Sequence, residues 1–219
     1  MKNSYKILAA QLSKCNTGEM PEVSFDSIKD ICNITNPKSI LEIGFNRGSS
    51  ALMWLLNSNA KLTSIDVRKE QEIIHSLSTL KSNFKDRFTY YKMDAYRELP
   101  FKSEWIGKFD LIFIDCWHDP IGYELDTNTA MYLGSPVIVY DDYLTHPHSS
   151  FIRNLVKDNH NLKEIKTYSN GYFEDMGQSI IQNLNHQITS GNDMILKYIK
   201  ILLEKNKKEL DDLEKTFKI

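Results

Sequence analysis

Hydrophobic and polar positions alternate along this chain in blocks that switch repeatedly between helical and strand periods. Two helical patterns come first, over about residues 4 to 15 and about 23 to 33, where Val23, Ile28, Ile31 and Cys32 fall roughly on one face. Asn36-Pro37 ends the second. Ser39 to Gly44 then reads as a short buried strand, and Ser49 to Leu56 as a helix entered through a glycine-containing turn. The cycle repeats with strands at Lys61 to Asp66, Phe88 to Met93, Phe109 to Asp115 and Pro136 to Tyr140, and with helices at Lys69 to Phe84 and Glu124 to Tyr132. Such alternation predicts an α/β domain, a parallel sheet with helices on both faces. Strands near 162 to 168 and 178 to 183, separated by Asn170-Gly171, predict a hairpin at the sheet edge.

After Gly191 the pattern becomes one long amphipathic helix, with Met194, Ile195, Tyr198, Ile199, Leu202, Leu210, Leu213 and Phe217 among lysines and glutamates. It suits packing on its own domain or a homo-oligomer contact. The organisation read from the pattern is N-terminal helices over 1–36, a catalytic domain over 37–187 and the amphipathic helix over 188–219.

Composition narrows the classes. The 219 residues suffice for one α/β domain with a sizeable core. With 27 Lys+Arg against 29 Asp+Glu the net charge is −2, so no basic field points to nucleic acid. Cys15, Cys32 and Cys116 form neither a disulfide framework nor a zinc-type spacing, which suits a reducing cytoplasm. The apolar run Ile7 to Ala10 is interrupted before it could make a signal-peptide core, and no apolar stretch approaches the roughly 20 residues of a membrane span.

Chemistry gathers at strand ends, where open parallel sheets bind their ligands. Glu42-Ile43-Gly44-Phe45-Asn46-Arg47-Gly48-Ser49-Ser50 is a G-x-x-x-G turn between strand and helix. A dinucleotide fingerprint would carry a second glycine where Asn46 stands, which disfavours NAD. Asp66 ends the second strand, well placed for ribose hydroxyls. Asp94, after the third, suits either the adenine edge of a nucleoside or a plain turn or helix cap.

In this order and spacing, residues 40 to 50, Asp66, Asp94 and the strand 109 to 115 resemble the class I S-adenosylmethionine (SAM)-dependent methyltransferases, over about residues 36 to 185. The resemblance implies a Rossmann-like, mostly parallel seven-stranded sheet with an antiparallel edge hairpin. It also implies a SAM site made by Glu42, Gly44, Asn46, Gly48, Ser49, Asp66, Asp94 and Asp115, with Glu42 and Gly44 beside the methionine part.

A second cluster follows: Asp115-Cys116-Trp117-His118-Asp119 ends one strand and Asp141-Asp142-Tyr143 the next. If those strands are neighbours, Asp115, Asp141 and Asp142 converge, and three unpaired carboxylates call for a hard divalent cation, Mg²⁺ with Mn²⁺ or Ca²⁺ as substitutes. Singly, each aspartate also suits a turn or an N-cap, and Asp119 before Pro120 reads best as a cap. The cluster is similar to that of the metal-dependent O-methyltransferases of the catechol and macrolide-sugar types. That likeness implies Asp115, Asp141 and Asp142 as metal ligands and His118 as the base. Histidine in place of lysine, and Asp-Asp in place of Asp-Asn, favour a sugar or glycoside acceptor over a phenolic one. His146 and His148, flanking Pro147, read as an exposed loop.

Overall fold

The structure, a computed structural model, describes residues 1–12, 24–116, 120–144, 149–158, 160–168 and 178–183. The strands are β1 (Ser39–Ile43), β2 (Lys61–Asp66), β3 (Phe88–Lys92), β4 (Leu111–Ile114), β5 (Val137–Tyr140), β6 (Leu162–Thr167) and β7 (Ser179–Asn183). The helices are α1 (Lys2–Ala9), α2 (Ser24–Thr35), α3 (Ser49–Asn57), α4 (Ile74–Phe84), α5 (Pro120–Tyr132) and α6 (Ser149–Asp158). The sheet order is β3-β2-β1-β4-β5-β7-β6, parallel from β3 through β5, with β7 antiparallel to both β5 and β6. This is the Rossmann-like, mostly parallel seven-stranded sheet that the sequence predicts.

Strand sequence and layer agree residue by residue, because neighbouring side chains on a strand point to opposite faces. Ile40, Leu111, Phe113, Val139 and Ile180 join the core under α1, α2, α3 and α4. Leu41, Ile43, Ile112, Ile114, Ile138 and Ile181 join the core under α5 and α6. Both faces of β1 and β4 are covered, which is why these strands read as nearly continuous apolar runs. Trp54 of α3 meets the Phe113 ring edge-on at 5.3 Å and fixes that helix over the sheet centre.

Several boundaries move. The expected helix 69–84 divides into a 3-10 turn at Glu70–Glu72 and α4. The helix expected from Glu124 begins at Pro120, whose fixed φ and missing N–H suit a first turn. The first helix ends at Ala9, and the remainder of its expected span beyond Leu12 lies outside the described residues. Helix α6 was not expected. The Asn170-Gly171 turn and the helix over 188–219 also lie outside the described residues.

The strand order reverses between β1 and β4, with β2 and β3 added on one side and β4 and β5 on the other. In open α/β sheets that switch point opens a crevice at the carboxyl ends of the strands.

Candidate active site

Gly44 leaves β1 with φ +101°, its N–H donating to the Ile65 carbonyl at 3.0 Å. A Cβ there would stand 1.9 Å from the Asp115 carbonyl oxygen, so the ends of β1 and β4 approach more closely than any side chain permits. Asn46 takes φ +47°, a left-handed conformation that asparagine tolerates. Gly48 has φ +85°, and a Cβ on it would strike the Phe45 ring at 2.7 Å. Phe45 is itself buried against Phe88 and Tyr90, so the loop folds over an aromatic plug and delivers Ser49 and Ser50 to the start of α3. The N–H groups of that first turn are suited to an anionic group such as a carboxylate.

Asp66 fastens this loop to β2. Its Oδ2 accepts the Asn46 N–H at 2.7 Å and its Oδ1 the Arg68 N–H at 2.9 Å. A carboxylate has about four lone-pair positions, so both oxygens retain capacity for ribose hydroxyls. Asp94 is used differently: its Oδ1 accepts from the N–H groups of Tyr96 at 2.9 Å and Arg97 at 3.2 Å, and the Arg97 guanidinium lies 3.6 Å from Oδ2. Asp94 thus caps the turn after β3 through Oδ1, and Oδ2 keeps lone pairs that a ligand could use.

Glu42 is fully buried, its Oε1 accepting from the Ser50 hydroxyl at 2.6 Å and its Oε2 from the Ser64 hydroxyl at 2.5 Å. Burial pushes its carboxyl up to about 8, the two serine hydroxyls pull against this, and the Asp115 and Asp66 carboxylates add to it. Glu42 therefore carries its proton through the neutral range and ties β1, β2 and α3 together directly behind Gly44.

Hydrogen bonding continues past the strand ends and sets the acids side by side. The Asp115 N–H donates to Ile43 O at 2.9 Å, and the Asp141 N–H to Ile114 O at 3.0 Å. Burial first, then the Asp115 and Asp142 carboxylates, raise the Asp141 carboxyl well above its usual range, while a hydrogen bond from Gln178 Nε2 at 2.6 Å opposes this. The Tyr123 hydroxyl on α5 is likewise raised, by burial and then by Asp142, Asp141 and Asp115. Asp142 adopts φ +51°, as a turn-forming aspartate can.

The donor chemistry of Asp115, Asp141 and Asp142 fits a hard divalent cation, three carboxylates that repel one another at one rim. Among the described residues, however, no three His, Cys, Asp or Glu side chains are arranged as a ready-made cage for a metal ion. Trp117, His118, Asp119, His146 and His148 lie outside the described residues.

Sequence reasoning missed the polar partners of these groups. Cys116 Sγ–H donates to Asp126 Oδ2 at 3.2 Å and sits 3.2 Å from the Tyr96 hydroxyl. Ser64, a fully buried polar residue inside β2, was a visible signal for the buried acid opposite it; Gln178 carried none.

Residues 41–143 match the family model described as a methyltransferase domain. The chain shares its fold with an O-methyltransferase of Bacillus cereus solved in complex with S-adenosylhomocysteine (SAH), at 17% identity and a TM-score of 0.62, over 83% of this chain and 90% of that one. A SAH-bound methyltransferase of Podospora anserina has 18% identity and a TM-score of 0.60, over 84% and 87% of the two chains. An O-methyltransferase of tomaymycin synthesis from Streptomyces achromogenes, solved with SAM, has 17% identity and a TM-score of 0.61, over 76% and 82%. Among curated proteins, none matches the sequence significantly.

Proposed function

We propose that this methyltransferase moves the methyl group of SAM to a hydroxyl of a sugar or glycoside, with Mg²⁺ or Mn²⁺ at the acid cluster. The observation that carries the reading is the meeting of Gly44 and Asp115 at the switch point, which sets the glycine loop and the acids Asp115, Asp141 and Asp142 around one crevice. The SAM and SAH bound to proteins of the same fold support the donor, and the O-methyltransferase names of two of them support the acceptor atom.

In this account the loop from Gly44 to Gly48 receives the methionine portion, with the first turn of α3 at its carboxylate, and Asp66 holds the ribose. Asp115, Asp141 and Asp142 would hold the cation, which when bound supplies Lewis acidity of the kind that lowers the pKa of water from 15.7 to about 7. His118, reference pKa about 6.5, takes the hydroxyl proton on an imidazole nitrogen as the acceptor oxygen attacks the methyl carbon and the methyl–sulfur bond breaks, its electron pair staying on sulfur to leave SAH. Alignment of oxygen, carbon and sulfur supplies the rest. The sugar preference rests on His118 and on the Asp141-Asp142 pair in the sequence.

The reading extends to a catalytic unit over 37–187 and to a long C-terminal helix over 188–219 that packs on it or joins two copies. It further places the protein in the cytoplasm, which the free thiols of Cys32 and Cys116 support. Among the described residues no helix is long and apolar enough to cross a membrane.

Transfer of labelled methyl from SAM to a panel of glycosides and phenols, with Mg²⁺ and with EDTA, tests the proposal. Label in a glycoside ether that disappears with EDTA supports it. EDTA-resistant transfer removes the cation, and transfer to phenols alone replaces the acceptor.

A further inference from the structure

The Asp66 carboxylate is set by two backbone donors on two different segments: the Asn46 N–H donates to Oδ2 at 2.7 Å and the Arg68 N–H to Oδ1 at 2.9 Å. One buried side chain braces both segments. Tyr90 of β3 lies opposite Ser64 in the parallel register and is buried in the core under α1 to α4. Its ring packs on that of Phe45, the residue before Asn46, with 5.1 Å between centroids. Its hydroxyl donates to Arg68 O at 2.7 Å and lies 3.3 Å from Asp66 O, which already accepts the Met93 N–H at 2.8 Å. Arg68 is therefore held at both ends, its N–H by the Asp66 carboxylate and its carbonyl by Tyr90. Burial first, then the Asp66 and Glu70 carboxylates, push the Tyr90 hydroxyl well above its ordinary range, so it stays protonated and remains a donor.

We propose that Tyr90 is a positioning residue for the cofactor's ribose, fixing the Asp66 carboxylate through Arg68 with its hydroxyl and through Phe45 and Asn46 with its ring. This rests on the reading above that Asp66 holds the ribose. A buried tyrosine hydroxyl needs one acceptor, and any backbone carbonyl in reach would serve. Here the acceptor belongs to the residue whose N–H binds one oxygen of the acid, and the ring packs on the neighbour of the residue that binds the other. A carboxylate oriented before the ligand arrives spares the ligand the ordering of that group on binding. Phenylalanine at position 90 would fill the same core space without that donor, so the hydroxyl is separable from the packing.

The test is a double-mutant cycle on SAH affinity, read by calorimetry on the full chain: wild type, Tyr90→Phe, Asp66→Ala and the two combined. Tyr90→Phe is expected to weaken SAH about 3- to 10-fold, the contribution of one neutral hydrogen bond. In the Asp66→Ala background the same substitution should change SAH affinity by less than about twofold, since the acid it positions is gone. A lowered melting temperature accompanies a structural role and a positioning role alike, whereas loss of the effect within the cycle belongs to positioning alone. Unchanged SAH affinity in Tyr90→Phe, or a loss that repeats in full without Asp66, overturns the role and leaves Tyr90 as packing. If Tyr90→Phe fails to fold, Phe45→Leu takes its place in the cycle, with the same outcomes read through the ring contact. Full SAH affinity in Asp66→Ala alone overturns the ribose reading itself, and this role with it.

Discussion

Gly44 and Asp115 touch backbone to backbone at the centre of the crevice: a Cβ on Gly44 would lie 1.9 Å from the Asp115 carbonyl oxygen. Gly44→Ala therefore has to move β1 away from β4, at a left-handed φ that already costs an alanine about 1–2 kcal/mol. With overpacking of about 1–3 kcal/mol added, the variant should lose several kcal/mol of stability and its SAH affinity together. Chemical denaturation and calorimetry check both; a variant as stable as the wild type would mean that the strand ends are further apart than described.

Asp66 is the next contact outward. Asp66→Ala removes acceptors for two backbone N–H groups as well as the proposed ribose ligand. Hydrogen bonds to charged groups contribute about 1.5–3 kcal/mol each, so SAH should bind at least about tenfold more weakly. Asp66→Asn keeps one acceptor oxygen and should fall between. Equal SAH affinity in all three proteins would remove Asp66 from the cofactor site.

Asp94 provides the contrast. Its carboxylate is engaged by the N–H groups of Tyr96 and Arg97, so Asp94→Ala should cost about 1 kcal/mol of stability, as a lost cap does, with little change in SAH affinity. A large loss of SAH affinity at unchanged stability would restore Asp94 to the adenine or ribose.

Glu42 predicts a pH dependence. Its folded-state pKa of about 8 lies above the ordinary 4.5, so the folded protein binds the extra proton between those values. Stability is then highest at the acidic end of that window, falls as pH rises toward about 8, and levels off above it. The span corresponds to something on the order of 5 kcal/mol. Glu42→Gln should flatten most of this slope and be more stable than wild type near pH 8, with the remaining slope owed to Asp141, raised in the same direction. Denaturation midpoints measured from pH 5 to about 9 read the effect; parallel slopes in the two proteins would contradict it.

The sequence makes β1 to β5 legible because each buried strand is a run of apolar residues bracketed by turn formers, and the acids at their ends stand out against that background. Gly44, Asp66 and Asp115 lie together at the ends of β1, β2 and β4. Helix α6 carries its own helical repeat in Phe151, Ile152, Leu155 and Val156, but it follows directly on a Pro-containing segment that reads as loop. Asp94 was ambiguous for a physical reason: an acid at a strand end serves a ligand and a turn equally well, and only its backbone partners decide. Gln178 was invisible because its hydrogen bonds to Asp141 and Ser27 depend on the register between β5 and β7 and on the packing of α2, and no local pattern encodes either.

The claim underlying everything else is that the crevice between β1 and β4 takes SAM, in preference to a dinucleotide that Asn46 disfavours. Calorimetric titration of the full chain with SAM and, separately, with NAD measures this directly. The account predicts saturable SAM binding that is lost in Gly44→Ala and weakened in Asp66→Ala, with no heat from NAD. NAD binding in place of SAM, or SAM binding indifferent to both substitutions, would contradict it.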